Sequence, residues 1–323
     1  MTFLLIVTVG FALDLIIGDP AWLPHPVVGM GRLTSWMEKV MLRLARTPFS
    51  RRVAGLLLVF LVVGATYLAA SWLLRTLSGS APVVAVLVEV WLVSTVLAVK
   101  SLGQAARRVK DFLQVEEIEE ARRSLGWIVG RDTGNLDEPE IVRGCIETVA
   151  ENTSDGVVAP IFYLFLGGVP LALAYKAVNT LDSMVGYRDE KYRDFGWAAA
   201  RLDDLANFIP ARLTVVFLLL AAVFFGLGAS CGWRTVRQDA WKHPSPNGGY
   251  PEAAVAGSLR VRLGGTNYYQ GRPARRPYLG ASFPPPTVHD LDQAVRLMYL
   301  ASFMAFVSGL LIRGALFGAV VAF

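Results

Sequence analysis

The amino-acid sequence predicts an all-α, polytopic integral membrane protein with long, partly helical polar loops and a broken or re-entrant segment near 157–175. Three observations carry this. Of 323 residues, 54% are hydrophobic and only 18% are charged, whereas a soluble domain carries about a quarter charged residues. Six apolar runs approach the roughly 20 residues that cross a bilayer as a helix. The charged and amide residues are segregated into the stretches between those runs. The whole chain, 1–323, reads as one multi-pass domain of the cell (cytoplasmic) membrane.

The apolar segments lie at about 2–17, 53–74, 82–99, 157–175, 211–229 and 296–323. The first lacks a basic n-region and a small-residue cleavage site and ends near Asp14, so it reads as a retained span rather than a signal peptide. The second and fifth are the cleanest. The third contains Glu89, and a lone carboxylate at that depth is either functional or protonated and paired within its bundle. The fourth, VVAPIFYLFLGGVPLALAY, holds Pro160, Gly167, Gly168 and Pro170. Proline removes a backbone donor and Gly-Gly favours a turn, so this segment is a kinked span or a re-entrant hairpin.

The net charge of +5 fits basic loops anchored on anionic lipid. No basic stripe interleaved with aromatics points to nucleic acid. Loops 18–52, 100–156 and 230–295 are richest in Lys and Arg. If every segment crosses, they share the cytoplasmic side, and 176–210 lies outside unless the fourth segment turns back. Cys145 and Cys231 show no metal-ligand spacing and read as inert thiols. The run SFPPPT, 282–287, reads as an extended connector before the last helix.

The densest chemistry flanks the fourth segment. In EIVRGCIETVAENTSDG, Glu147, Glu151 and Asp155 are spaced i, i+4, i+8 and fall on one face of an α-helix. Such a stack reads as a divalent-metal site, since Mg²⁺ takes hard oxygen ligands, or as a solvated acidic face. Downstream, YKAVNTLDSMVGY places Lys176, Asn179 and Asp182 three apart, near one another on a helix or as capping chemistry. RLDDLANFIPAR adds Asp203, Asp204, Asn207 and Arg212. In GRDTGNLDEPE, Arg131 suits a phosphate, and Asp137 suits a helix cap. His25 is held between Pro24 and Pro26. The NGG and LGG turns of the last loop could bring backbone amides to an anion. No Walker loop, GxSxG elbow or HExxH motif is present.

The runs DLIIGDP…HPVVGMGR, GRDT, ETVAENTSDGVVAPIFY, YKAVNTLDSMVGY, DDLANFIPARL and PNGGYPEAAVAGSLRVRLGGTNYY resemble the CobD/CbiB proteins of cobalamin biosynthesis. The resemblance runs from about Asp14 to Tyr269, with Thr266 where the family pattern suggests Pro. It implies an adenosylcobinamide-phosphate synthase. Such an enzyme ligates 1-amino-2-propanol or its O-phosphate to a propionate carboxyl of adenosylcobyric acid, with ATP and Mg²⁺ and no tightly bound cofactor. On that reading Glu147, Glu151, Asp155 and Asp182 hold Mg²⁺, and Glu151, Asp155, Asp182 and Asp204 serve the chemistry. Arg131, Asp132, Asn152, Lys176, Asn179, His25 and Asn267 contact substrate or phosphate. The partners implied are the corrinoid, the amine, the bilayer and other membrane enzymes of the corrinoid pathway. The residues alone leave room for a small-molecule transporter or a membrane scaffold for corrinoid enzymes, though no inverted repeat supports transport.

Overall fold

Proline and glycine decide where the long helices begin and break. The computed structural model describes residues 2–20, 22, 24–187 and 189–321; the end of the sixth apolar segment, 322–323, lies outside them. Helix α1 is Thr2–Ile16 and α2 is Pro26–Leu44. Helix α3, Pro48–Ser80, opens with Pro48 in its first turn and a reciprocal cap, in which Thr47 Oγ1 accepts from the Ser50 amide at 3.1 Å and Ser50 Oγ from the Thr47 amide at 3.0 Å. Helix α4, Pro82–Val96, also starts on proline, and an extended Leu97 (φ −95°, ψ 154°) separates it from α5, Val99–Gln114. Then come α6 (Ile118–Gly126), α7 (Glu138–Asn152), a π-helical turn at Thr153–Val158 and α8 (Ala159–Val185). The chain continues through α9 (Trp197–Ala206), α10 (Phe208–Phe224), α11 (Ala229–Asp239) and α12 (Gly249–Leu259). Strands β1 (Leu263–Tyr269) and β2 (Arg272–Leu279) precede α13 (Val288–Val321).

Among the described residues four helical stretches are long and apolar enough to cross a membrane: Pro48–Ser80, Pro82–Gln114, Glu138–Val185 and Val288–Leu316. A fifth is reached if α9 and α10, bent by 44° at their junction, count as one. This is a multi-pass helical membrane protein. The first apolar segment forms only the 15 residues of α1, about 22 Å against a hydrocarbon core of roughly 30 Å.

The fourth segment is broken where its glycines stand. Gly167 (φ −142°, ψ 20°) and Gly168 (φ 72°, ψ −170°) leave helical geometry inside α8. The positive φ at Gly168 is one that a residue with a Cβ resists. Pro160 and Pro170 do not break anything themselves. Each falls at the start of a helical stretch, where a missing N–H is tolerated. The expected loop from Lys176 is instead the last part of α8. Helical bonding continues to Val185, and within it Thr180 and Ser183 donate their hydroxyls to the carbonyls of Lys176 and Asn179.

The chain divides into two compact units. The first comprises Met1–Ala98, Ala159–Asn207 and Gly309–Phe323. In it α1 packs on α4, and α3 lies against α8 and α9. Gly55 of α3 meets the Phe195 carbonyl so closely that a Cβ would stand 1.8 Å from its oxygen. The second unit comprises Val99–Val158 and Phe208–Ser308. Its core joins α5, α6, α7, α10, α12 and the start of α13 through residues such as Val109, Leu125, Ile146, Leu218, Ala253 and Leu291. Helix α10, the apolar run expected over 211–229, gives Val215, Leu218, Ala221 and Ala222 to this core, while Val216, Leu220, Val223 and Phe224 stay exposed. It ends at Gly226 (φ 67°), whose amide bonds the Val223 carbonyl at 3.0 Å.

The antiparallel β1–β2 hairpin is an addition that the helical reading did not contain. Its two-residue turn, Gln270 (φ 51°) and Gly271 (φ 75°), has both residues left-handed, the geometry whose twist matches paired strands. LGG was expected as a turn, but Leu263 and Gly265 lie within β1 at an irregularity of its register.

Candidate functional site

Helix α7 positions the first part of the site. Asp137 caps it by accepting from the Glu140 amide at 3.0 Å, and Pro139 occupies its first turn. From Ile141 to Ala150 the helix is buried on all sides. Arg143 and Glu147, one turn apart, therefore cannot reach solvent and must be paired inside. Glu147 Oε2 lies 2.6 Å from Arg131 Nη2, and Oε1 lies 3.1 Å from Arg143 Nη1. The Gly264 amide donates to the same Oε1 at 2.8 Å. Asn267 Oδ1 accepts from Arg131 Nη1 and from Arg143 Nη2. The LGG segment does bring a backbone amide to an anion, and the anion is an internal carboxylate. Gly264 sits at φ 85°, and a Cβ there would stand 2.3 Å from the Pro277 carbonyl oxygen, so the amide can approach only from glycine.

Glu151 is different. It lines a polar cleft of about 110 Å³, which Glu147 also borders, together with Arg131, Thr148, Asn152, Tyr269 and Arg276. Its carboxylate makes no direct hydrogen bond or ion pair with another described residue. A Cβ on Gly248 would lie 3.1 Å from Glu151 Oε1 and 3.3 Å from the His243 ring, so Glu151 and His243 are neighbours. His243 Nε2 is 3.7 Å from Glu252 Oε1 and 3.3 Å from Arg276 Nη1. Arg276 Nη2 donates to the Tyr269 hydroxyl at 3.1 Å. Glu252 is 1% exposed. Burial, then the charges of Glu147 and Glu151, hold its carboxyl well above the usual range. Burial, then Arg276, push His243 down to about 4.

The His243 shift gives a pH dependence with a definite sign. Its folded value lies below the unfolded 6.5, so the unfolded chain takes up a proton that the folded protein refuses. Stability is then fully present above about pH 6.5 and falls as the pH drops towards 4. Unfolding of purified protein followed from pH 8 to 4 is expected to show this loss, and His243→Gln is expected to flatten it.

The sequence-predicted residues fall into two sets. Arg131, Glu147, Glu151, Asn152 and Asn267 come together in the second unit around α7 and the hairpin. His25, Lys176, Asn179, Asp182 and Asp204 belong to the first unit. There Asp203 accepts from Asn207 Nδ2 at 3.0 Å, and Asn207 Oδ1 accepts from the Tyr175 hydroxyl at 2.8 Å. Asp204 lines a separate cleft of about 370 Å³ with Arg52, Arg193 and Arg201. His25 caps α2, with Nδ1 accepting from the Val27 amide at 3.3 Å, and pairs through Nε2 with Asp19 at 3.4 Å.

Several expected roles change on contact with the structure. Arg131 was read as a phosphate contact, but its guanidinium is engaged by Glu147 and Asn267. Asp132 was grouped with the substrate contacts. Its carboxylate instead accepts from the Gln270 and Gly271 amides at 3.1 and 2.7 Å and fixes the hairpin turn. Asn152 donates to the Thr148 carbonyl at 3.0 Å. Asp155 lies in the π-helical turn, which breaks the four-residue repeat that put it in line with Glu147 and Glu151. Among the described residues no three His, Cys, Asp or Glu side chains are placed to hold a metal ion. With Glu147 committed to two guanidiniums, the carboxylate stack does not fit a resident Mg²⁺.

Arg143, His243, Glu252, Tyr269 and Arg276 were not reached from the sequence. Arg143 had a signal, its i,i+4 spacing to Glu147. Glu252 had another, a lone acid in the small apolar run AAVAG of α12.

Comparison with known proteins agrees with the sequence resemblance. The family described as CobD/Cbib protein matches residues 7–298. The Cobalamin biosynthesis protein CobD of Geobacter metallireducens is 52% identical over 91% of this chain and 92% of its own length. CobD of Klebsiella pneumoniae is 46% identical over 96% and 98%, and the Cobalamin biosynthesis protein CbiB of Salmonella paratyphi B is 46% identical over 92% and 93%. No solved structure matches the chain significantly. With nearly its whole length matched, the chain belongs to the CobD/CbiB family of cobalamin-biosynthesis proteins.

Proposed function

We propose that this protein is an amide-forming ligase that joins 1-amino-2-propanol, or its O-phosphate, to a propionate carboxyl of adenosylcobyric acid, with Mg-ATP as co-substrate. The observation that carries this reading is the Glu151 carboxylate, which lines a polar cleft and makes no direct ion pair among the described residues, while Glu147 one turn away pairs with two guanidiniums. An amine reaches the cleft as an ammonium ion and must lose a proton before it can attack. A carboxylate without a partner suits both binding that ammonium and taking its proton.

The balance of the reaction is simple. The propionate oxygen attacks the γ-phosphorus of ATP, ADP leaves, and an acyl phosphate forms. Glu151 takes one proton from the ammonium, the neutral amine nitrogen attacks the acyl carbon, and phosphate leaves carrying the second proton of the nitrogen. Positioning and charge neutralisation supply most of such phosphoryl chemistry.

The test is incubation of purified protein with adenosylcobyric acid, the amine or its phosphate, and Mg-ATP, followed by mass detection of the amide. Product that requires all the components supports the reading. Passage of corrinoid across vesicles without amine or ATP, and no amide, would establish the transporter alternative instead.

A further inference from the structure

The cleft beside Glu151 contains a cation whose pairing differs from that of its neighbours. Arg131 and Arg143 each sit directly on the Glu147 carboxylate. Arg276, half-buried on β2, is oriented instead by two neutral acceptors, the Tyr269 hydroxyl at 3.1 Å and His243 Nε2 at 3.3 Å. Arginine can only donate, so the second contact requires an unprotonated Nε2, which a neutral His243 supplies. No carboxylate among the described residues forms a direct ion pair with Arg276; Glu252 and Glu151 act on it only through space. Two neutral acceptors orient a guanidinium without neutralising it, and its fork of donors matches a phosphate or carboxylate. One small cleft therefore shows a carboxylate and a guanidinium, neither with a direct opposite charge. That pair of charges complements a small molecule with an ammonium at one end and an anionic group at the other.

We infer that Arg276 is the specificity-determining residue that holds the anionic group of a phosphorylated amine co-substrate, in the same cleft where Glu151 takes the ammonium. The inference rests on the ligase reading above. Tyr269 acts through Arg276 as a positioning residue.

The experiment compares 1-amino-2-propanol with its O-phosphate as substrate for wild type, Arg276→Lys, Arg276→Met and Tyr269→Phe, reading KM and kcat for each from amide mass. Wild type is expected to favour the phosphorylated amine. Arg276→Met is expected to raise KM for that amine by about 10- to 100-fold and to move KM for the unphosphorylated amine less than about threefold. Arg276→Lys, which keeps the charge but not the fork, is expected to fall between, and Tyr269→Phe to shift the same ratio by a few-fold. Product from wild type but equal changes for the two amines, in the variants that retain activity, would overturn the Arg276 assignment and leave the ligase reading standing. No amide from wild type with either amine overturns the ligase reading, and the inference falls with it. Should Arg276→Met not fold, the ratio in Arg276→Lys and Tyr269→Phe decides.

Discussion

Glu151→Gln is expected to reduce amide formation by about 100-fold or more while leaving the protein folded. The two halves of that expectation come from one observation. Among the described residues the Glu151 carboxylate has no direct hydrogen-bond or ion-pair partner, so an amide of the same shape strands no partner there. The lost charge forgoes the through-space attraction of Arg276 and Arg131 but relieves repulsion from Glu147. What disappears is the group that seats the ammonium and accepts its proton. Steady-state rates from amide mass, set beside unfolding midpoints for wild type and variant, check both halves. Near-normal rates would remove Glu151 from the chemistry, and a large loss of stability would show that it is a structural residue.

Glu147→Gln is expected to do the reverse, although it sits one turn away on the same helix. Glu147 is 3% exposed and is the direct anionic partner of Arg131 and Arg143. Removing its charge strands two guanidiniums beside a neutral amide. Breaking a buried pair by deleting one partner costs about 3–5 kcal/mol, because the remaining charge is left uncompensated. The Gly264 amide would also lose an anionic acceptor. The expected result is an unfolding midpoint lower by roughly 10 °C, with reduced yield from membranes. Arg143→Met combined with Glu147→Gln is expected to recover part of that loss, since the double change removes one stranded charge. A Glu147→Gln protein as stable as wild type would argue that solvent or lipid headgroups reach the network.

The contrast between these neighbours marks the limit of sequence reading. Spacing places Glu147 and Glu151 on one face of α7, and that is correct. Spacing cannot say that Arg131 from the preceding connection and Gly264 from the hairpin engage the first carboxylate, while the second, in the same cleft, has no direct partner among the described residues. Asp155 shows a related limit. Its i+8 position holds only if the α-helix continues, and the chain turns π-helical at Thr153. The hairpin was obscured by its own composition. Pro273, Pro277 and three arginines interrupt the alternation of β2, and proline is tolerated there because the strand has a partner on one side only.

The apolar helices and the break at Gly167–Gly168 were legible because their causes are local. Twenty apolar residues need lipid or protein around them whatever the rest of the chain does, and only glycine accepts φ 72° without strain. The cap at Asp137 was legible for the same reason. The site was not, because a charge is defined by what stands against it. The sequence by itself determined a broken, multi-span helical membrane protein with acidic and basic residues flanking the break. The tertiary structure alone decided that Glu147 is neutralised, that Asp132 fixes a turn, and that Glu151 and Arg276 share a cleft without direct opposite charges among the described residues, since each outcome depends on how separate elements fold against one another, the turn on residues more than a hundred positions apart.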